Sequence, residues 1–294
     1  MKRQSSSLVV ALCLLAAGGA DARDPVIPLE SPAYFVQGSA GYLYGKKDEA
    51  TSYGGASELT LAESTTRSWA AGSLVTVPIV RGFGVRLAVD GGGTDETLGG
   101  FRSEGNDVTG GAELFWRDPT RGQVGAGYAY SWSPVDTSIG SVTSRAHTAP
   151  AFASLYMPDF DGRTVDWNVR FAYSWIDAES ATGSVDQWAY EVVGSSRWYV
   201  DRWASFEAGV RFEQRINALP SNVVEGVFEL EFLVPGGVRH YGTFALLGSV
   251  GRREFQNLGA QFGMLDQLTW QIGLGATVHF PGVASLVELH RAYR

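Results

Sequence analysis

The stretch Gln267–Phe280, QLTWQIGLGATVHF, decides the fold class of this chain. Every second residue from Leu268 to Phe280 is apolar, and the residues between them are Gln, Thr, Gly or His. A period of two residues is that of a β-strand with two unlike faces. The stretch is longer than most globular strands, whereas its length suits a tilted strand that crosses a bilayer. It therefore predicts a membrane-crossing strand with one face toward lipid and one toward a polar interior.

The same stretch resembles the C-terminal insertion signal of Gram-negative outer-membrane β-barrel proteins. That signal has a glycine followed, three and five positions later, by apolar or aromatic residues, which are Gly275, Val278 and Phe280 here. The resemblance implies that outer-membrane lipids surround the protein and that the barrel-assembly machinery inserts it. It also implies the outer membrane as the location of the chain.

The usual signal ends the protein at its aromatic residue, but residues 281–294 follow it here. In this C-terminal tail, four apolar residues share one side of a short predicted helix: Leu286, Val287, Leu289 and Tyr293. The tail is expected to lie either in the periplasm or inside the barrel lumen.

Residues 1–22 have the pattern of a secretory signal peptide, with basic residues, a short apolar run at Leu8–Ala17 and a small-residue cleavage site ending at Ala22. The apolar run is too short for a transmembrane anchor. Cys13, the single cysteine of the chain, lies within this segment. The mature protein is therefore expected to have neither a disulfide nor a thiolate metal site. Residues 23–32 would form an N-terminal periplasmic segment.

The remaining chain repeats the alternation, which predicts about twelve strands. The candidate strands are 34–44, 69–77, 83–90, 108–117, 124–132, 146–157, 164–175, 187–199, 204–212, 224–234, 239–250 and 267–280. Short links rich in Pro, Asp and Gly alternate with longer polar links at 45–67, 91–107, 133–145, 176–186, 214–222 and 251–266. Tight periplasmic turns and longer external loops are typical of outer-membrane barrels.

We therefore predict an all-β, transmembrane, antiparallel up-and-down β-barrel over residues 33–280, with both of its ends in the periplasm. The link 45–67 is interpreted as a loop. A thirteenth strand near Ser57–Glu63 would move the long link 91–107 to the periplasmic side.

Tryptophan positions favour the membrane barrel over its main alternative, a soluble secreted β-sandwich, which would show the same alternation. The predicted outer girdle contains Trp69, Trp132, Trp175, Trp188 and Trp270, and the predicted inner girdle contains Trp116, Trp167 and Trp198. Trp203 fits the inner girdle only by height. The segment Leu114–Gly122, LFWRDPTRG, also resembles one found in uncharacterised proteobacterial outer-membrane barrel proteins.

The polar face of the predicted strands carries charges of both signs. The acids are Asp90, Glu113, Asp166, Glu191, Glu207, Glu213, Glu225, Glu229 and Glu231, and the bases are Arg86, Arg117, Arg170, Arg197, Arg211 and Arg239. One interpretation is structural, because charges in a narrow lumen pair across strands. The other is a cation-preferring channel lined by carboxylates. We expect Arg211 to lie near enough to pair with Glu207, Glu229 and Glu231.

The four histidines provide little support for catalysis, because none has metal-ligand spacing to another ligand residue. His147, with Ser144 nearby, lies at the predicted outer end of a strand, as in outer-membrane phospholipases. The His-x-Ser spacing of that family is absent, since Thr148 and Ala149 follow. No catalytic residues, metal site or cofactor are predicted.

The leading functional hypothesis is a narrow porin-like channel for small solutes or ions. The first alternative is a plugged structural or surface-interaction barrel without transport, and the second is an outer-membrane lipid hydrolase. The formal net charge of −8 argues against nucleic-acid binding. The oligomeric state stays open.

Overall fold

The computed structural model of the protein describes residues 34–53, 59–98, 101–137, 140–160, 163–217, 220–255 and 262–293. The predicted signal peptide with Cys13 and the segment 23–32 lie outside these residues. Among the described residues, no helix is both long and apolar enough to cross a membrane.

Twelve antiparallel strands form a closed barrel in which each strand pairs with its sequence neighbours and the last pairs with the first. The strands are β1 (Phe35–Tyr53), β2 (Leu59–Val80), β3 (Phe83–Leu98), β4 (Phe101–Asp118), β5 (Gly122–Thr137), β6 (Gly140–Phe160), β7 (Arg163–Ser180), β8 (Gly183–Tyr199), β9 (Ala204–Ile216), β10 (Ser221–Leu233), β11 (His240–Phe255) and β12 (Phe262–Val283). This architecture confirms the predicted fold class and strand count.

Strand β12, which contains the alternating stretch, closes the barrel. It pairs with β1 on one side, with Gly41 opposite Gly275, and with β11 on the other, with Ala245 opposite Gly275. The end of the barrel where β1 begins and β12 finishes is called the base below, and the opposite end is called the mouth. The base corresponds to the predicted periplasmic side.

The predicted long loops are wrong in their extent, because most of their residues continue the strands. The link 45–67 is largely taken up by the paired ends of β1 and β2, and 91–107 by those of β3 and β4. A strand of 22 residues is about 73 Å long, whereas a strand tilted by about 45° crosses the hydrocarbon core in about 42 Å. The remaining length of the strand extends beyond the hydrocarbon core of the membrane. There both faces of the strand meet water, and the alternation of apolar residues is lost.

The two faces of the barrel wall are the reverse of those in a soluble protein. In β12, every apolar residue from Leu268 to Phe280 is exposed, while the intervening residues are buried or partly buried. Val278 and Phe280 are 69% and 67% exposed, and His279 between them is 2% exposed. A soluble sandwich would bury these apolar side chains, so the outward apolar surface matches a lipid environment.

All eight tryptophans assigned to the two girdles occupy outward-facing strand positions. Trp132, Trp175 and Trp188 lie toward the mouth, where Trp175 stacks on His147 with ring centroids 5.3 Å apart. Trp116 lies at the base beside the β2–β3 turn, where Gly82 has φ +78°. A Cβ atom at Gly82 would lie 2.9 Å from Trp116 Nε1, so glycine is required there for both reasons.

Candidate functional site in the barrel lumen

The C-terminal segment, residues 284–293, crosses the base of the lumen. It follows β12 as a short helical turn, α1 (Leu286–Glu288), and a π-helical turn, Leu289–Tyr293. Ser285 caps α1 by accepting a hydrogen bond from the Glu288 backbone N–H at 3.1 Å. The segment leaves the wall at β12, and Arg291 contacts β7, close to the opposite wall of the twelve-strand barrel. Of the two positions expected for this tail, the lumen is the one it occupies.

Apolar packing holds the first half of the C-terminal segment. Leu286, Val287 and Leu289 are almost completely buried. They form one cluster with Val283 and with three side chains from the base ends of other strands: Phe35, Tyr199 and Leu233. Trp203, in the β8–β9 turn, packs against this cluster and is not part of a membrane girdle. The predicted apolar side of the tail is therefore what anchors it.

Buried polar contacts hold the second half. Arg291 donates from Nε to Asp166 at 2.9 Å, and Tyr199 donates its hydroxyl to the same carboxylate at 2.6 Å. His290 lies beside Tyr199 and places Nε2 2.8 Å from Glu231 on β10. These contacts attach the end of the chain to three strands of the barrel wall.

Arg197 on β8 is the centre of the charge cluster at the base. Its guanidinium donates to Glu231 at 2.8 Å, to Glu229 at 3.0 Å, and also to Glu207. Its side chain is 9% exposed. Because Glu231 also contacts His290, this cluster and the C-terminal segment form one continuous polar network.

Arg211 on β9 is the centre of a second cluster nearer the mouth. It donates to Glu191 at 2.7 Å, to Glu225 at 3.0 Å, and to Glu213. Arg211 does lie near carboxylates as predicted, but Glu207, Glu229 and Glu231 bind Arg197 instead. Strand register explains the correction, because Glu225 lies directly opposite Arg211 whereas Glu207 is four residues away along β9.

The wall formed by β3 and β4 carries a third set of charges. Arg86 donates to Gln123 at 2.6 Å, lies 3.8 Å from Glu113, and stacks over the Phe115 ring at 4.3 Å. Two further carboxylates face inward above it, Asp90 and Asp107. Among the described residues, neither accepts a hydrogen bond nor forms an ion pair.

Two cavities follow one another along the β6–β9 wall. The lower cavity, of about 160 Å³, lies against the C-terminal segment and is lined by Gln123, Tyr156, Asp166, Asn168, Arg197, Tyr199, Glu207 and His290. The upper cavity, of about 350 Å³, is lined by Thr148, Arg170, Ala172, Ser174, Ile176, Ala189, Glu191, Glu213 and Arg215. Asn168 and Arg170 are successive inward positions of β7, so the two cavities are neighbours along the lumen axis.

Three features of this lumen were not identified from the sequence. Arg239 was assigned to a strand, but it lies in the β10–β11 turn and contacts Gly282 and Glu288 of the chain end. Arg215 faces inward beyond the predicted end of its strand, where continued alternation was the available signal. Arg291 pairs with a residue 125 positions away, and no local pattern indicates that contact.

His147 and Ser144, the two residues considered for a lipid hydrolase, do not face each other. The two residues are three apart in a regularly paired stretch of β6, so their side chains point to opposite faces of the barrel wall. His147 is on the outer face, where its Nδ1 lies 2.6 Å from the Tyr128 hydroxyl. Among the described residues, no group of three His, Cys, Asp or Glu side chains is placed to hold a metal ion.

Comparison with known proteins places the fold in a broad class. No protein-family model matches the chain, and no curated protein matches it. The solved structures that match include an outer membrane channel from Pseudomonas putida F1, with a TM-score of 0.53 and 10% identity over 90% of this chain and 100% of that one. They also include the translocator domain of the autotransporter NalP from Neisseria meningitidis, with a TM-score of 0.50 and 11% identity over 81% of this chain and 87% of that one.

These likenesses show a shared fold. The chain is a closed twelve-strand β-barrel of the kind found in Gram-negative outer-membrane proteins.

Proposed function

We propose that the protein is a narrow outer-membrane channel for small hydrophilic solutes, closed at its periplasmic base by its own C-terminal segment. The observation that carries this proposal is the position of that segment across a lumen that otherwise contains two neighbouring cavities. These ten residues block one end of the lumen and would act as the gate of the channel, since their displacement would connect both cavities to the base.

The apolar outer surface supports the membrane part of the proposal. Lipid would cover the exposed apolar side chains, and the barrel-assembly machinery would recognise β12 through Gly275, Val278 and Phe280. Val278 and Phe280 point outward and are accessible, as a recognition signal on the final strand needs. Residues 284–293 fold away into the lumen and do not cover them.

The charge distribution supports a modest preference for cations. All six glutamates of β8–β10 lie in ion pairs with Arg197, Arg211 or Arg215, although these three arginines compensate only half of the formal charge of the glutamates. Asp90 and Asp107 face the lumen without such a cation among the described residues. Uncompensated carboxylates along a pore attract cations and repel anions.

Planar-bilayer recording of the purified full chain tests the proposal. The wild-type protein should give rare, discrete openings, and the double variant His290→Ala/Arg291→Ala should open far more often, because it loses the polar contacts that hold the second half of the C-terminal segment. Arg121→Ala is the matched control, since Arg121 lies in an exposed turn at the base and its side chain is 84% exposed. Heat-modifiable gel mobility would show that all three proteins are folded barrels.

A plugged structural barrel is the second candidate, and the near-complete burial of Leu286, Leu289 and Arg291 is the observation that favours it. If both the wild-type protein and the double variant are folded and silent in the bilayer, the channel proposal is wrong and this candidate replaces it. A lipid hydrolase is not proposed, because Ser144 and His147 lie on opposite faces of the wall.

A further inference from the structure

We propose that the upper cavity is a binding site for a small zwitterionic solute of the amino-acid type, with a carboxylate, an ammonium group and a short apolar part. The inference rests on the proposed channel function, of which it would be the solute-selecting step. Four properties of the cavity support it: its shape, an unused cation, an unused carboxylate oxygen and an apolar surface.

Small residues create the space. Ala172 on β7, Ser174 on β7 and Ala189 on β8 are neighbours on the inner wall, with Ser174 paired directly to Ala189. Longer charged side chains stand on either side, Arg170 toward the base and Arg215 toward the mouth. The resulting volume of about 350 Å³ is in the range of small-molecule sites, which is roughly 300–1,000 Å³.

Arg170 is the unused cation. Its side chain is 53% exposed, and its one ion pair within the described part of the chain is a long contact of 3.6 Å with Glu113. Among the described residues it donates no hydrogen bond, although a guanidinium has five N–H donors. Glu113 is shared with Arg86 at 3.8 Å, so it does not engage Arg170 fully. A planar guanidinium facing a cavity is suited to two parallel hydrogen bonds with a carboxylate.

Glu191 provides the complementary group. Its Oε2 accepts from Arg211 at 2.7 Å, while its Oε1 has no partner among the described residues. Glu191 lies directly opposite Ala172, so it is the diagonal neighbour of Arg170 on the next strand. Diagonal neighbours of a sheet are about 7–8 Å apart at Cα, which is within reach of long side chains. The two groups can therefore hold the opposite charges of one small solute.

The charges and apolar side chains that line the cavity favour a zwitterion over a simple ion. The cavity has two arginines, Arg170 and Arg215, and two glutamates, Glu191 and Glu213, so its formal charge is balanced. A balanced site favours a solute with both charges over one with a single charge. Ile176, Ala172 and Ala189 offer an apolar surface for a short hydrocarbon group.

Isothermal titration calorimetry of the full chain in detergent tests the inference with three probes of nearly equal size. L-leucine carries both charges, leucinamide lacks the carboxylate, and 4-methylpentanoate lacks the amine. We expect L-leucine to bind and each analogue to bind at least tenfold more weakly. Equal affinity for L-leucine and 4-methylpentanoate would show an anion site and overturn the proposal, and equal affinity for leucinamide would show a cation site.

Variants locate the site. Arg170→Gln and Glu191→Gln should each weaken L-leucine binding at least tenfold, and Ala172→Leu should abolish it by filling the cavity. Arg145→Gln is the control, because Arg145 pairs with Asp177 and Glu179 on the outer face near the mouth. Unchanged binding in a folded Ala172→Leu protein would place any binding elsewhere and overturn the proposal, and this variant removes no charge pair.

The binding and conductance measurements test the two proposals independently. A protein that binds L-leucine but never conducts would contradict the channel function and leave the binding site intact. A protein that conducts but binds none of the three probes would contradict the site and leave the channel function standing.

Discussion

Arg291 donates to the carboxylate of Asp166 at 2.9 Å across 125 residues of sequence, and both side chains are less than 5% exposed. The pair joins the C-terminal segment to β7. This strand lies almost opposite β12, from which the segment departs. Desolvating two charges is favourable only where their pairing and hydrogen bonds are good, and here Tyr199 donates to the same carboxylate. The contact therefore makes the position of the C-terminal segment specific.

Replacing Arg291 by Ala should destabilise the barrel strongly. While the C-terminal segment stays in place, Asp166 is buried with a hydroxyl donor as its main remaining partner, and breaking a buried pair in this way costs about 3–5 kcal/mol. Release of the segment lets water reach Asp166, so this value is the upper limit of the loss. Urea unfolding in detergent micelles measures the loss. Arg121→Ala, which removes an exposed contact of 3.8 Å with Asp118, should cost less than about 1 kcal/mol. Similar losses in the two variants would mean that the Arg291 pair is not buried.

Replacing Arg211 by Ala should lower the free energy of unfolding by about 1–3 kcal/mol, because three glutamates lose a shared donor. Adding Glu225→Gln should recover part of the loss, since Glu225 is the more buried of the two glutamates for which Arg211 is the ion-pair partner, whereas Glu213 keeps Arg215. A double-mutant cycle measures the coupling between the two residues. Strictly additive effects would argue against the contact.

An arginine at Phe228 should destabilise the barrel by about 2–4 kcal/mol, because outward positions near the middle of the membrane face hydrocarbon. Phe228 lies on the outer face of β10, and its ring covers Gly248 on the neighbouring strand. Val238→Arg is the control, as Val238 is 93% exposed in the β10–β11 turn. Reversible folding into lipid vesicles compares the two, and equal tolerance would contradict the assignment of the outer face.

Neutralising Asp90 and Asp107 together, as Asp90→Asn/Asp107→Asn, should reduce the preference for cations in reversal-potential measurements. The double variant Glu225→Gln/Glu229→Gln should instead impair assembly or stability, because it frees Arg211 and Arg197 from two of their partners. The opposite result, with selectivity changed only by the glutamates, would show that the glutamate clusters set the selectivity and that Asp90 and Asp107 do not.

Labelling of introduced cysteines should report the orientation of the barrel. Thr182→Cys lies in the exposed β7–β8 turn at the mouth, and Arg121→Cys lies in the exposed β4–β5 turn at the base. A membrane-impermeant maleimide added to intact cells should label the first and spare the second, while both should react after the outer membrane is permeabilised. Labelling of only Arg121→Cys in intact cells would reverse the predicted topology.

The sequence by itself determined the barrel class, the twelve strands and the face to which most side chains point. These properties follow from the local backbone, because a strand repeats every two residues and the apolar set of Gln267–Phe280 can face only one way. The ends of the strands were not determined in the same way, since beyond the bilayer both faces of a strand meet water and the alternation disappears.

Only the tertiary structure decided which charged side chains pair and where the C-terminal segment lies. Glu231 could have paired with Arg211 on the neighbouring strand, but the registers of β8–β10 place Arg197 beside it. The C-terminal segment had an apolar side that suited either a periplasmic tail or a lumen insert. Its position depends on Asp166, Tyr199 and Glu231, which come from three different strands and become neighbours only when β7–β10 pair in register.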